Sequence, residues 1–355
     1  MGMSRIAIIC LTVALAFPAL DHVLPPSLKI ASLVPAIMVY AIVGLGLNII
    51  AGYTGLLNLG AAAFMAIGAY TFSILTCTIY PFQIGFWGGA LAAALVGALA
   101  GTVLALPTMR LRGDYLAIVT LGFGEIIQDV LKNLDQVTKG TQGLNPVAAP
   151  ALPGVAFTTE NYVPWYYLYL ALLLGAVWLC RNLRNARIGR SWVAVREDEL
   201  AARAMGIGTS RVKLIAFAMG SALCAVGGAL FASLSGTSIE PAFYDFQQSV
   251  IILCIVIVGG MGNVGGVLLG ALIMVGFNGI VLTKLTDLMN RNGLTGANVL
   301  AAPSNWKFLI YGLALILMMR LKPEGLLPAK DVQAELHHDD APRPQPPTQP
   351  QGAGT

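Results

Sequence analysis

The sequence predicts an all-α membrane protein, a polytopic transmembrane helical bundle of about ten spans within a range of eight to ten. Three observations point there. Of 355 residues, 57% are apolar and 11% charged, a balance outside that of soluble domains. The 80 residues from Ile30 to Met109 contain no charged side chain and no histidine, a run that a bilayer can hold and a globular domain cannot. The apolar runs are also continuous instead of alternating over ten-residue strands, which favours helices over a barrel.

Taken in order, the expected spans are 5–20, 29–50, 56–79, 84–106, 115–132, 163–180, 211–234, 247–261, 265–283 and 306–320, at ~20 apolar residues each. Arg5 followed by Ile6 to Leu20 has the pattern of a signal peptide's n- and h-regions. No clean A-x-A site precedes the polar residues, and Pro18 and Asp21 suit a helix exit, so a retained first helix is expected. The charge-free run holds three spans, broken at Gly52-Tyr-Thr-Gly55 and at Pro81. Phe246 to Thr283 is also uncharged, and its 38 residues would reach ~57 Å as one helix, nearly twice the hydrocarbon core. It must fold back, and the glycines of 259–266 (Gly259, Gly260 and Gly262 foremost) are the place, as two short spans or as two half-helices. Residues 1–328 are read as one transmembrane domain. Beyond Pro328 the chain turns polar and proline- and glutamine-rich, the composition of a disordered tail over 329–355.

Residues 181–213 form a charged island. Arg181, Arg184, Arg187, Arg190, Arg196, Arg203, Arg211 and Lys213 are basic, and Glu197, Asp198 and Glu199 acidic. Such a cluster belongs in a cytoplasmic loop. Placing it inside puts Arg5, Arg110, Arg112, Arg320, Lys322, Lys330 and Arg343 inside with it, 15 of the 21 basic residues in all. Lys29, Lys132, Lys139, Lys284, Arg291 and Lys307 fall outside, as do Asp21, Asp135, Glu160, Glu240, Asp245 and Asp287. Both termini are then cytoplasmic.

Within the island, Arg196 to Met205 reads as a short helix. Glu197, Asp198 and Glu199 sit in its first turn, where the helix dipole favours negative charge. Glu199 and Arg203 pair at i,i+4. Ala201 and Ala202 admit close approach of another backbone, Gly206 and Gly208 end the helix, and Thr209 or Ser210 can cap the next one. Two uses fit: an amphipathic loop helix lying on lipid headgroups, or a coupling helix that docks on an ATP-driven partner.

In the fifth span Glu125 lies ten residues beyond Tyr115, ~15 Å along the helix axis and near the bilayer middle. Glu125, Gln128, Asp129 and Lys132 follow at i, i+3, i+4 and i+7, one polar stripe towards the outer face. Ionisable groups at that depth face the bundle interior and are functional candidates, though an interhelical hydrogen bond is the plainer use. Asn48, Asn58, Asn263 and Asn278 read chiefly as helix-packing residues. The glycines at 259–266 could aim helix ends at a zwitterion's charges or simply allow close packing. Cys10, Cys77, Cys180, Cys224 and Cys254 have no ligand spacing, and no metal site is expected. His337-His338 falls in the tail. No basic-aromatic run suggests nucleic acid. There is no G-x-x-x-x-G-K-[ST] phosphate loop, so the chain cannot hydrolyse ATP by that route itself.

From about residue 30 to 328 the chain resembles the LivM-type permease subunits of branched-chain amino-acid ABC importers. The residues that carry it are Gly52-Tyr-Thr-Gly-Leu-Leu-Asn-Leu-Gly60 with Ile67-Gly-Ala-Tyr70, and Leu111-Arg-Gly-Asp-Tyr-Leu-Ala-Ile-Val-Thr-Leu-Gly-Phe-Gly-Glu-Ile126. Further along come the island from Arg187 to Gly206 with Lys213-Leu-Ile-Ala-Phe217, then Gly259-Gly-Met-Gly262 and Lys322-Pro-Glu-Gly-Leu-Leu-Pro328. The resemblance implies a permease in a bacterial inner membrane and not an enzyme. Its partners would be a paralogous permease, two ATP-binding subunits and an extracytoplasmic solute-binding protein. ATP and Mg would be bound by the partner ATPases, with no cofactor in this chain. It also assigns ATPase coupling to Arg196, Glu197, Asp198, Ala201, Ala202 and Gly206, leaving Glu125, Gln128, Asn48 and Asn58 as pathway candidates. Thr138-Lys-Gly-Thr-Gln-Gly143, Glu324 and the segment from Lys284 to Asn305 depart from the family pattern. A urea- or amide-importing permease is the nearest alternative, and an ion-coupled secondary transporter using the Glu125 stripe is an alternative of another class.

Overall fold

The computed structural model describes residues 33–109, 114–150, 162–291 and 303–328, with Thr12, Ala14, 16–18 and Phe157 besides. The first expected span, Arg110, Arg112 and the 329–355 tail lie wholly or almost wholly outside the described residues. Among those described there is no strand. Helix α1 (Val34–Leu47) continues through a π turn (Asn48–Tyr53), and α2 (Ala61–Thr76), α3 (Phe86–Thr108), α4 (Asp114–Asn133) and α5 (Tyr162–Asn185) follow. The island forms α6 (Arg187–Glu197) and α7 (Glu199–Ala204). Then come α8 (Thr209–Ser235), α9 (Phe246–Gly259), α10 (Val264–Gly276) and α11 (Lys307–Leu321). A second π turn (Phe277–Leu282) carries α10 on into Thr283–Arg291. Among the described residues five helices are long and apolar enough to cross a membrane, and α2 and α9 are apolar but shorter.

Helix α8 is the axis, packed along its length on α1, α2 and α3. Small residues make this possible. A Cβ on Gly228 would fall 1.9 Å from the Met65 carbonyl oxygen, one on Gly68 1.9 Å from that of Ala225, and one on Gly46 2.6 Å from that of Gly220. Lipid offers no hydrophobic drive for helices to associate, so close backbone approach and the dispersion it gains take over. Helix α3 shows the same logic. Gly89, Ala93, Gly97, Gly101 and Ala105, spaced by four, turn inward, with Gly97 and Gly101 against Ala225 and Ser221 of α8. Leu91, Leu95, Leu99 and Val103 face outward, as they would towards acyl chains.

The two ends of the bundle are built differently. At one end the loop after α4 is knitted to the loop after α8. Leu144 N–H donates to Ser238 Oγ (2.8 Å), and Val147 N–H to the Gly236 carbonyl (2.9 Å). Tyr70 and Tyr244 hydroxyls close it by donating to the Ile239 and Ser238 carbonyls. Thr138 to Gly143 lies here, turned by left-handed backbone at Lys139, Gly140 and Gly143. The other end gathers the island, the π turn of α1 and the α9–α10 break, where Leu326 and Leu327 N–H groups donate to the Val258 and Gly259 carbonyls (both 3.0 Å).

One expectation needs correction. The span at 56–79 is helical only over Ala61–Thr76. Gly55, at φ +70°, ends the preceding helix, and Asn58 Oδ1 accepts the Gly60 N–H, turning the chain. The non-helical stretch lies on α4, with Leu59 N–H donating to Thr120 Oγ1 (3.0 Å), and Ser249 Oγ takes the Ala62 N–H at the start of α2. Of the two arrangements left open for Phe246 to Thr283, the structure shows two spans that turn at the island end, α9 short and α10 prolonged through its π turn.

Gly228→Val should cost more than the ~1–3 kcal/mol of ordinary overpacking, because backbone and not a side chain stands in the way. The expected outcome is a collapse in the yield of monodisperse protein in detergent, with Gly236→Ala, which meets nothing within 4 Å, as a milder control that carries only its backbone strain.

Candidate functional site

The island does not form the single helix expected from Arg196 to Met205. It breaks at Asp198, whose extended backbone (φ −153°, ψ 111°) separates α6 from α7. The Asp198 carboxylate accepts the N–H groups of Leu200 (2.7 Å) and Ala201 (3.0 Å), an N-cap that satisfies donors the new helix leaves open. Three consecutive acids suit a first turn, but only the residue at the cap position can make those bonds. Arg196 therefore belongs to α6. Gly206 does end α7, at φ +83°. Neither Thr209 nor Ser210 caps α8, since Gly208 occupies that position without a side-chain bond.

One side of this helix pair is fastened to the bundle. Trp192 is fully buried and its Nε1 donates to the Val212 carbonyl at 2.9 Å. Ala202 is buried. Lys213 of α8, its side chain 7% exposed, reaches Glu199 Oε2 at 2.8 Å, and Arg203 reaches the other oxygen at 3.2 Å from a mostly exposed position. Arg196 turns inward as well, and its Nη1 donates to the Gly52 carbonyl. The other side is open. Glu197, Asp198, Ala201 and Gly206 are exposed there, together with Leu200 (63%) and Met205 (84%). Of the six residues the resemblance assigned to coupling, four share this open face, while Arg196 and Ala202 do not. Leu200 and Met205 escaped sequence reasoning because apolar residues carry no contrast in so apolar a chain.

The membrane polar groups also divide. Gln128 is buried, and its Nε2 donates to the Pro241 and Ala242 carbonyls (3.2 and 3.3 Å), tying α4 to the loop before α9. Glu125 and Asp129 are exposed on the outer surface of α4, with Lys132 3.8 Å from Asp129. The expected single stripe is thus two faces, because i and i+3 positions diverge far enough for a close neighbour to claim one and not the other. Asn48 Oδ1 accepts the Gly262 N–H (2.8 Å), and Asn58 serves the turn before α2. Asn263 caps α10 and donates to the Leu327 carbonyl, and Asn278 lies half-buried in the second π turn. At the break, Gly260 and Gly262 have φ +117° and +79°. A Cβ on Gly259 would fall 2.2 Å from the Gly266 carbonyl oxygen and one on Gly260 2.5 Å from that of Leu327, so these two glycines sit in close packing.

Fold and composition define a polytopic helical membrane protein with an exposed, partly apolar face at one end. Residues 30–319 match the family described as the permease component of branched-chain amino acid transport systems, and the chain belongs to that family. Its members are transport permeases and not enzymes. The chain is 35% identical over 352 residues to the high-affinity branched-chain amino acid transport system permease protein LivM of Salmonella typhimurium, covering 93% of this chain and 76% of that one. It is 37% identical over 325 residues to LivM of Escherichia coli, covering 86% and 71%. The permease protein LivH of S. typhimurium is 25% identical over 256 residues, covering 66% and 79%. No solved structure matches.

The Glu199–Lys213 contact sets an asymmetric expectation. Glu199→Ala strands a buried ammonium and should cost roughly 1.5–3 kcal/mol, whereas Lys213→Met leaves a carboxylate that water can reach and should cost less. Thermal unfolding in detergent orders the two variants. Equal costs would mean that the pair is not what holds α7 down.

Proposed function

We propose that this chain is one of two transmembrane subunits of an ATP-driven importer for branched-chain or other apolar amino acids, in the inner membrane of a bacterium. A paralogous permease completes the pathway, a solute-binding protein delivers the substrate outside, and two separate subunits bind and hydrolyse ATP inside. The open face of α7 is the observation that carries this: Leu200 and Met205 stand out among charged groups on a helix pair otherwise clamped to the core. A loop lying on headgroups would have no need of such rigidity, and a docking element would. LivM and LivH, two permeases of one bacterium that both match this chain, support a paralogous pair. The island end then faces the cytoplasm with both termini, in keeping with the distribution of basic residues.

Glu125 fits the same assembly. It sits midway along α4 beside exposed Ile118 and Ile126, and a Cβ added to Gly122 or Gly124 meets nothing within 4 Å. An acidic group facing acyl chains at that depth costs about 3 kcal/mol on insertion scales. A second permease covering α4 removes that cost and leaves the carboxylate beside the pathway, where it can receive a substrate's ammonium group.

Two variants test docking. Leu200→Asp and Met205→Asp should each weaken ATPase binding by about 2 kcal/mol, roughly thirtyfold, while the permease pair stays intact. Co-purification of the ATPases at wild-type levels with both variants would contradict it. For the pathway, Glu125→Gln should lower uptake per complex at least several-fold with assembly unchanged. Glutamine keeps the hydrogen bonds of a packing residue, so an unchanged rate for every amino acid tried would take Glu125 out of the pathway.

A further inference from the structure

A π turn is rare, occurs mostly as a single-turn bulge inside an α-helix, and is frequent at functional sites. The one in α1, Asn48–Tyr53, is buried throughout, and separate parts of the molecule meet on it. From the island, Arg196 donates to the Gly52 carbonyl, and Trp192 stacks on Tyr53 with ring centroids 6.1 Å apart and 16° between planes. The Arg196 stem also lies against Gly55, 3.0 Å from where a Cβ would be. From the opposite side, Gly262 in the α9–α10 break donates its N–H to Asn48 Oδ1 at 2.8 Å. Gly52 lies between the two, and a Cβ there would fall 2.1 Å from Asn48 Oδ1 and 2.6 Å from the Gly262 nitrogen. There is no slack in this chain of contacts. A displacement of α6 has to be taken up by the turn, and a change in the turn has to reach the break.

The turn also holds two buried polar atoms without a hydrogen-bond partner, Asn48 Nδ2 and the Tyr53 hydroxyl. Buried polar atoms are paired in the great majority of cases, and an unpaired one weighs against the conformer that leaves it so. A conformer that pairs them competes the better for it. Conversion between π and α register shifts the backbone that carries both side chains and so changes which partners they can reach.

We infer that the π turn Asn48–Tyr53 is the joint that passes movement of α6 to the break between α9 and α10. Trp192 and Arg196 grip it from the island and Asn48 grips the break, and its two states differ in helical register. The inference rests on the ATP-driven reading, since the ATPases are what would move α6. Arg196 is then a positioning residue and not a docking contact, which separates it from Leu200 and Met205.

The test uses the full complex of this chain, a second permease, the ATPases and the binding protein in proteoliposomes. Three quantities are read: ATPase stoichiometry, ATP hydrolysed, and substrate taken up per ATP. Arg196→Gln should keep the first two and lower uptake per ATP at least tenfold, with Arg196→Lys recovering part of it. Tyr53→Phe keeps the ring and removes the unpaired hydroxyl. It should leave thermal stability unchanged or higher and slow uptake severalfold, because the resting state no longer carries that penalty. Wild-type uptake per ATP in Arg196→Gln overturns the joint, and so does loss of the ATPases from that variant. If Arg196→Gln does not fold, Tyr53→Phe decides, and a wild-type rate there overturns the joint. Uptake by the wild-type complex without ATP would instead overturn the ATP-driven reading and this inference with it.

Discussion

Backbone-to-backbone contact along α8 is the constraint on which the rest of the structure depends. In lipid, apolar side chains gain nothing by leaving one neighbour for another, so helices hold together by how closely they approach. Gly220, Gly228 and Ala225 of α8 meet Gly46, Met65 and Gly68 across carbonyls, with no room for another methyl group. That places α1 and α2 within fixed reach of α8. The N-terminal end of α8 in turn supplies Val212 and Lys213, two of the anchors that hold the island. A loop helix pair is thereby packed onto the bundle.

The island is accordingly two-sided. Trp192, Val195, Ala202 and the Glu199–Lys213 pair face the bundle, and Leu200, Met205 and the exposed acids face away. The Asp198 break is what separates the two sides. It lets α6 lie against α1 and α8 while α7 turns to present its open face.

Charge made most of the architecture legible in the sequence. Runs without Asp, Glu, Lys or Arg marked the spans, and positions that break helices, Gly55 and the glycines at 259–262, marked where they end. The island stood out for the same reason. What stayed hidden depends on contacts distant in sequence or on which of several similar residues takes a special position. Asp198 as a cap could not be told from Glu197 or Glu199. The start of α2 at Ala61 depends on Thr120 and Ser249, and the fate of Gln128 on carbonyls more than a hundred residues away. Nor has a π turn any residue pattern of its own. The row of small residues on α3, by contrast, was visible at a spacing of four and needed only to be read as the packed side, the reverse of its meaning in a water-soluble helix.

Reconstituted transport tests the central claim most directly. Proteoliposomes would carry this chain with a paralogous permease and two ATPases, the island side accessible to MgATP, and a binding protein on the opposite side. Labelled leucine and labelled urea are offered in parallel. The account predicts leucine uptake that needs both hydrolysable ATP and the binding protein and persists when ion gradients are collapsed. Leucine or urea uptake by this chain alone, driven by an ion gradient and indifferent to ATP, would contradict it.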